Sequence, residues 1–177
     1  MASLAMHYAI AKEYCKENKN VDFAEFVCGS LQPDLVQDKN KSHYTIPSKT
    51  QTIEEIVKNK VNLAECVKNT TLDTDFDKGV FLHLLTDHLF FSELQKILKK
   101  INIDDLSQAV SLVYKDYSST NSFLAKKYNF DLMCLPKIGR TVSGQKPMLM
   151  NENEITNFIE RCAKLDILSV LGGGGLL

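Results

Sequence analysis

Apolar and polar positions along this chain recur mostly with the 3.6-residue period of an amphipathic helix, and the strict alternation of a half-buried strand is almost absent. The pattern predicts helices over roughly residues 3–18, 22–28, 52–68, 76–100, 103–128 and 152–170, with breaks allowed inside the longer ones. The expected fold class is therefore all-α, a single-domain helical bundle spanning residues 1–171. Two stretches interrupt the periodicity. GSLQPDLVQDKNKSHYTIPS is punctuated by Gly29, Pro33 and Pro47, and LPKIGRTVSGQKPMLMN by Pro136, Gly139, Gly144 and Pro147. Loops of this length in a small domain tend to carry function.

Composition narrows the classes. The 177 residues are 44% hydrophobic and 24% charged, enough apolar material for one core. A net charge of -1 argues against a nucleic-acid binder held by bulk electrostatics, and Lys96, Lys99, Lys100, Lys126 and Lys127 read as solvated helix edges. Cys15, Cys28, Cys66, Cys134 and Cys162 are scattered, without a C-x-x-C pair, as expected of reduced thiols in a cytoplasmic protein rather than of a disulfide framework. The opening MASLAMHYAIAKEYCKENK lacks the basic start and unbroken apolar run of a secretory signal, and no apolar run reaches the roughly 18 residues of a spanning helix. The ending GGGGLL, residues 172–177, reads as a flexible tail outside the fold.

The segment FLHLLTDHLF places two histidines and an aspartate in an otherwise oily helix. Residues four apart on a helix differ by only about 40° around the axis, so His83 and Asp87 share a face with Val80, Leu84, Phe91 and Leu94. Such a pair, facing a core, is either a buried His–Asp hydrogen bond or part of a metal site. His88 is rotated about 100° further and suits a rim or partner position. The other two histidines are His43, nine residues after Asp34, and His7, in register with Leu4, Ala11 and Tyr14. Asp34, His43, His83 and Asp87 together form a donor set of the zinc type, with His7 as a fifth ligand. Taken singly, His7 also fits a satisfied core histidine, and Asp34 a turn residue following Pro33.

The pieces MHYAIA, GSLQPD, KSHY and HLLTDH resemble, in order and rough spacing, the zinc-dependent phospholipase C family, and more distantly the S1/P1-type zinc nucleases. The likeness runs over about residues 6–90. VYKDYSSTNSFL, with Tyr114, Asp116, Tyr117 and Asn121, is similar to a later helix of small intracellular members. The resemblance implies an all-α bundle with one or two zinc ions, or other divalent metals, between its helices. Asp34, His43, His83 and Asp87 would hold one ion, and His7 would join a bridging Asp87 at a second. Asp34 would also be the catalytic residue that orients or deprotonates a water. A third metal in that family needs two further histidines, and no histidine follows His88 here. His88, Asp116 and Arg140 are expected near the ligands or the substrate. Lys137, Arg140 and Lys146 are expected either to cover a phosphate or to be an ordinary solvated loop. The expected function is a metal-dependent phosphoesterase acting on a small phosphoester or a phospholipid headgroup. The alternatives are a metal-binding protein of the same build without catalysis, and a helical interaction domain with structural histidines.

Overall fold

Ser3, Asp22, Thr52, Asn62, Thr74 and Asp105 each stand where an apolar-periodic run begins, and each accepts a backbone N–H of the following turn through its side chain. Such caps satisfy donors that a helix start leaves orphaned. The computed structural model describes residues 2–163 apart from Gln51 and Met150. In it these caps open α1 (Leu4–Glu17), α2 (Phe23–Leu31), α4 (Ile53–Asn59), α5 (Leu63–Asn69), α6 (Asp75–Lys100) and α7 (Leu106–Tyr128). A short α3 (Lys39–Ser42) and α8 (Glu152–Ala163) complete the helices, and a single 3₁₀ turn, Gln32–Asp34, follows α2. The described residues contain no β-strand, and the domain is all-α as the periodicity predicts.

The long α6 is the spine. Its closest neighbour is α2, and two glycines account for that intimacy. A Cβ on Gly29 would lie 2.0 Å from the Phe76 carbonyl oxygen, and one on Gly79 would lie 2.1 Å from that of Phe26. Both helices therefore meet backbone to backbone, which only the absence of a side chain permits. Phe26, Leu31, Leu35 and Leu84 fill the core beside this contact, joined by Leu132 and Leu135 from the segment after α7. Helix α1 lies across α2 and is pinned to the end of α7, where Lys12 Nζ donates to the Tyr128 carbonyl at 2.5 Å and Tyr8 Oη to that of Asn129 at 3.1 Å.

The observed elements depart from the sequence pattern in three informative places. Gly29 does not end α2; the helix runs on to Leu31, because this glycine serves a helix–helix contact rather than a turn. The run over 52–68 is two helices. Its break is held open by the loop before it: Ile46 N–H donates to Asn59 O, Thr45 Oγ1 to Lys60 O, and Asn62 N–H to His43 O. Carbonyls that a continuous helix would have used are thus spent anchoring the chain around His43. The first irregular stretch, finally, contains the 3₁₀ turn and α3. The expected helix over 152–170 is seen to Ala163, and its remainder and the tail over 172–177 lie outside the described residues. No helix among the described residues is long and apolar enough to cross a membrane.

Candidate metal centre

Four segments deliver five ionisable side chains to one buried point. Helix α1 brings His7 from its second turn. The 3₁₀ turn, started by Pro33, brings Asp34; the C-cap of α3 brings His43; and α6 brings His83 and Asp87, one turn apart. All five are buried, with His83 and Asp87 fully so. His7 Nε2 lies 3.3 Å from Asp87 Oδ1 and 3.9 Å from Asp34 Oδ2, while His43 Nε2 lies 3.3 Å from Asp87 Oδ2 and 3.9 Å from Asp34 Oδ1. The rings of His7 and His83 stack at 3.7 Å.

Backbone carbonyls fix the tautomers. His83 Nδ1 lies 2.8 Å from the Ser30 carbonyl oxygen, and His43 Nδ1 lies 2.9 Å from that of Lys39. A carbonyl only accepts, so each Nδ1 carries the proton, and in its neutral form each ring turns a bare Nε2 lone pair inward. These two Nε2 atoms face one another at 3.0 Å. Two lone pairs so placed repel unless a cation stands between or beside them. Nitrogen ligands bonded at about 2.0–2.1 Å to one tetrahedral zinc would be separated by about 3.3 Å, close to this spacing. Buried polar atoms left without a hydrogen-bond partner among the described residues include both ring nitrogens of His7, Asp34 Oδ1 and Asp87 Oδ2. An unpaired polar atom in a core costs on the order of 1–3 kcal/mol. A divalent ion would satisfy all but the outward His7 nitrogen, and the residues fit such an ion on this ground.

Grouped by mutual distance, the donor atoms form two overlapping sets, His7 with His83 and Asp87, and Asp34 with His43 and His83, each within 4.8 Å. His83 is thus common to both sets, where the sequence reading gives the shared position to Asp87. The electrostatics are those of a site prepared for positive charge. Burial alone would raise the Asp34 carboxyl, but neighbouring basic groups, the Lys39 ammonium among them, outweigh it and hold it below the usual range. Asp87, for which burial likewise opposes ionisation, is held well below that range by the neighbouring His43 and His7. Burial, reinforced by His7, pushes His83 down to about 3, so that its ring is neutral and ready to ligate.

The remaining expected site residues stand elsewhere. His88 is exposed on α6, rotated away from the buried His83 and Asp87, and Asp116 is exposed on α7. Arg140 is exposed as well, its Nε 3.4 Å from Glu25 Oε1. The structure does not bring these three to the cluster. It brings two lysines not singled out in the sequence: Lys39, with Nζ 3.8 Å from Asp34 Oδ1, and the half-buried Lys60, whose ammonium is pushed down by burial against an opposing pull from Asp87. Lys39 follows Asp34 by one turn of loop and α3. That spacing carries no motif, and only the fold reveals it.

Asp34 and Lys39 also line a largely apolar cavity of about 110 Å³. Its walls come from the start of α1, from α4, and from the facing sides of α6 and α7, among them Ile56, Phe90, Leu94 and Val113. Tyr114 faces the same space, its phenol pushed up by burial and by the Asp34 charge, and buried Asn121 lines it with an unpartnered Oδ1.

No family model, curated protein or solved structure matches this chain.

Proposed function

We propose that this domain is a divalent-metal-dependent phosphoesterase acting on a phosphoester with an apolar alcohol group, such as a phospholipid. One observation carries the reading: the Nε2 atoms of His43 and His83, 3.0 Å apart, are flanked by two carboxylates, and one of these, Asp34, also lines a largely apolar cavity. His7, Asp34, His43, His83 and Asp87 would hold one or two ions, and this mixture of imidazole and carboxylate suits zinc. Bound zinc supplies Lewis acidity and a water acidic enough to give hydroxide near neutral pH.

The chain's own residues supply the rest. Asp34 is held below the usual carboxylate range and belongs to both cluster and cavity lining, so it is placed to ligate the ion and to orient a water beside it. Lys39 offers its ammonium to a phosphate oxygen beside Asp34. The apolar walls exclude bulk water and receive the alcohol group. The free thiols Cys15, Cys28, Cys66 and Cys134 fit a reducing, cytoplasmic setting. The deep burial of all five ligand candidates favours, as a second reading, a metal-binding protein without turnover.

Elemental mass spectrometry of protein purified without chelator, followed by hydrolysis of p-nitrophenyl alkyl phosphodiesters of increasing chain length, tests the proposal. The expected result is one to two metal equivalents and a kcat/KM that rises about fourfold per added methylene until the cavity is filled. Bound metal without hydrolysis selects the second reading. Absence of metal after exposure to zinc, manganese and iron refutes both.

A further inference from the structure

Away from the metal cluster, two cysteines 106 positions apart in sequence meet with their sulfurs 3.0 Å apart. Cys28 is fully buried on α2, six residues before Asp34. Cys134 is half-buried in a turn of the segment 130–149 that follows α7. That segment straps the Asp34 turn. Gln32 Nε2 donates to Arg140 O and the Val142 N–H to Gln32 Oε1, both at 2.9 Å; Gln145 Nε2 donates to Asp38 O at 3.0 Å, and the Met148 N–H to Leu35 O at 2.6 Å.

We propose that Cys28 and Cys134 form a reversible intramolecular disulfide that locks this strap onto the turn carrying Asp34. The sulfurs need to close by about 1 Å to reach bonding distance, and Cys134 lies in a turn, where the backbone can yield, rather than in a helix. The oxidant is a small-molecule disulfide such as oxidised glutathione. Cys134 is the attacking sulfur, because it is the more accessible of the two and because the Cys28 S–H donates to it, favouring its thiolate against the opposing effect of burial. The Cys134 thiolate attacks one sulfur of the small disulfide, releasing one glutathione thiolate and leaving a mixed disulfide. Cys28 then loses its proton and attacks the Cys134 sulfur, releasing the second. Two protein thiols are oxidised, one small disulfide is reduced to two thiols, and two protons pass from protein to leaving groups.

The test uses the full chain, incubated with oxidised glutathione and mapped by mass spectrometry after alkylation of the remaining thiols. The expected product has lost two hydrogens, yields a peptide joining Cys28 to Cys134, and is restored by dithiothreitol. Its Tm rises by on the order of 5 °C, since the bond closes a long loop in the unfolded chain. Cys28→Ser is expected to stop at a glutathione adduct on Cys134, and Cys134→Ser to block the reaction at Cys28. A disulfide involving any other cysteine, a persisting glutathione adduct on the unsubstituted protein, or an unreacted Cys28–Cys134 pair overturns the proposal. The map of the unsubstituted protein decides the matter even if a serine variant fails to fold, and it is independent of metal binding or turnover.

Discussion

Asp87→Asn separates metal binding from packing. Asp87 Oδ1 accepts the Ala2 N–H at 2.5 Å, while Oδ2 lies 3.3 Å from the Nε2 lone pair of His43. Asparagine has the same shape. Its oxygen retains the Ala2 hydrogen bond, and its amide nitrogen turns a donor toward His43, so the metal-free protein keeps its packing and gains one satisfied pair. Its stability is expected to stay within about 1 kcal/mol of the unsubstituted apoprotein. The metal-bound state loses a charged ligand. Disturbing an outer partner of a ligand already weakens a site 10–100-fold, so loss of a carboxylate ligand is expected to cost about 100-fold or more. At a fixed metal concentration above the dissociation constant, that factor removes about 2.7 kcal/mol of ligand-linked stabilisation, or roughly 5–10 °C of Tm for a chain of this size. Scanning calorimetry with and without added zinc, together with elemental analysis, measures both quantities. If the variant keeps its metal content and the full metal-induced rise in Tm, Asp87 is not a ligand and the assignment of the cluster fails.

Gly29→Ala forces a Cβ to within 2.0 Å of the Phe76 carbonyl oxygen and is expected to destabilise by about 3 kcal/mol in urea titration, whereas Gly139→Ala, with open space around it, should leave the midpoint unchanged. His83→Ala is expected to abolish metal binding measured by elemental analysis, and His88→Ala to leave it intact; equal losses would contradict the observed face of α6. Acid is expected to weaken the apoprotein. His83 stays neutral in the fold down to about pH 3 but takes up a proton near 6.5 when unfolded, so the unfolded chain binds more protons between those values and stability falls as pH is lowered through them. At pH 5 this single residue accounts for about 2 kcal/mol. Asp34 and Asp87, both held low, add losses of the same sign below their ordinary range near 3.8. Urea midpoints of chelator-treated protein that rise on acidification would refute this.

The helical class was legible because α1, α6 and α7 carry caps and a long apolar stripe, so local chemistry and burial agree about them. The pairing of His83 with Asp87 was legible too, since both lie within one helix whose geometry is known in advance. Convergence of His7, Asp34 and His43 on that pair depends on three other segments, so periodicity could not place them; they were grouped by donor type and by the resemblance. Where the sequence reading faltered, a residue was serving a distant partner. Gly29 looks like punctuation locally but admits the backbone of α6, and the run over 52–68 looks continuous until the His43 loop claims the carbonyls of Asn59 and Lys60.

These departures share a physical origin with the site. A neutral imidazole aims a lone pair only if its other nitrogen is held, and the holders here are the carbonyls of Ser30, on α2 just after Gly29, and of Lys39, on α3. The Ser30 carbonyl reaches His83 because α2 lies against α6 without a side chain between them, and the close approach is the work of Gly29 and Gly79. The His43 backbone is fixed by the break between α4 and α5 through the bond from Asn62 N–H. The two glycines and the interrupted helix therefore orient the imidazoles of His83 and His43 although none of them touches the cluster. It follows that Gly79→Ala should reduce metal affinity as well as stability, by moving the Ser30 carbonyl away from His83 Nδ1. A variant that loses stability while its zinc dissociation constant, measured on the folded fraction, remains unchanged would show that the carbonyl contact is incidental to ligation.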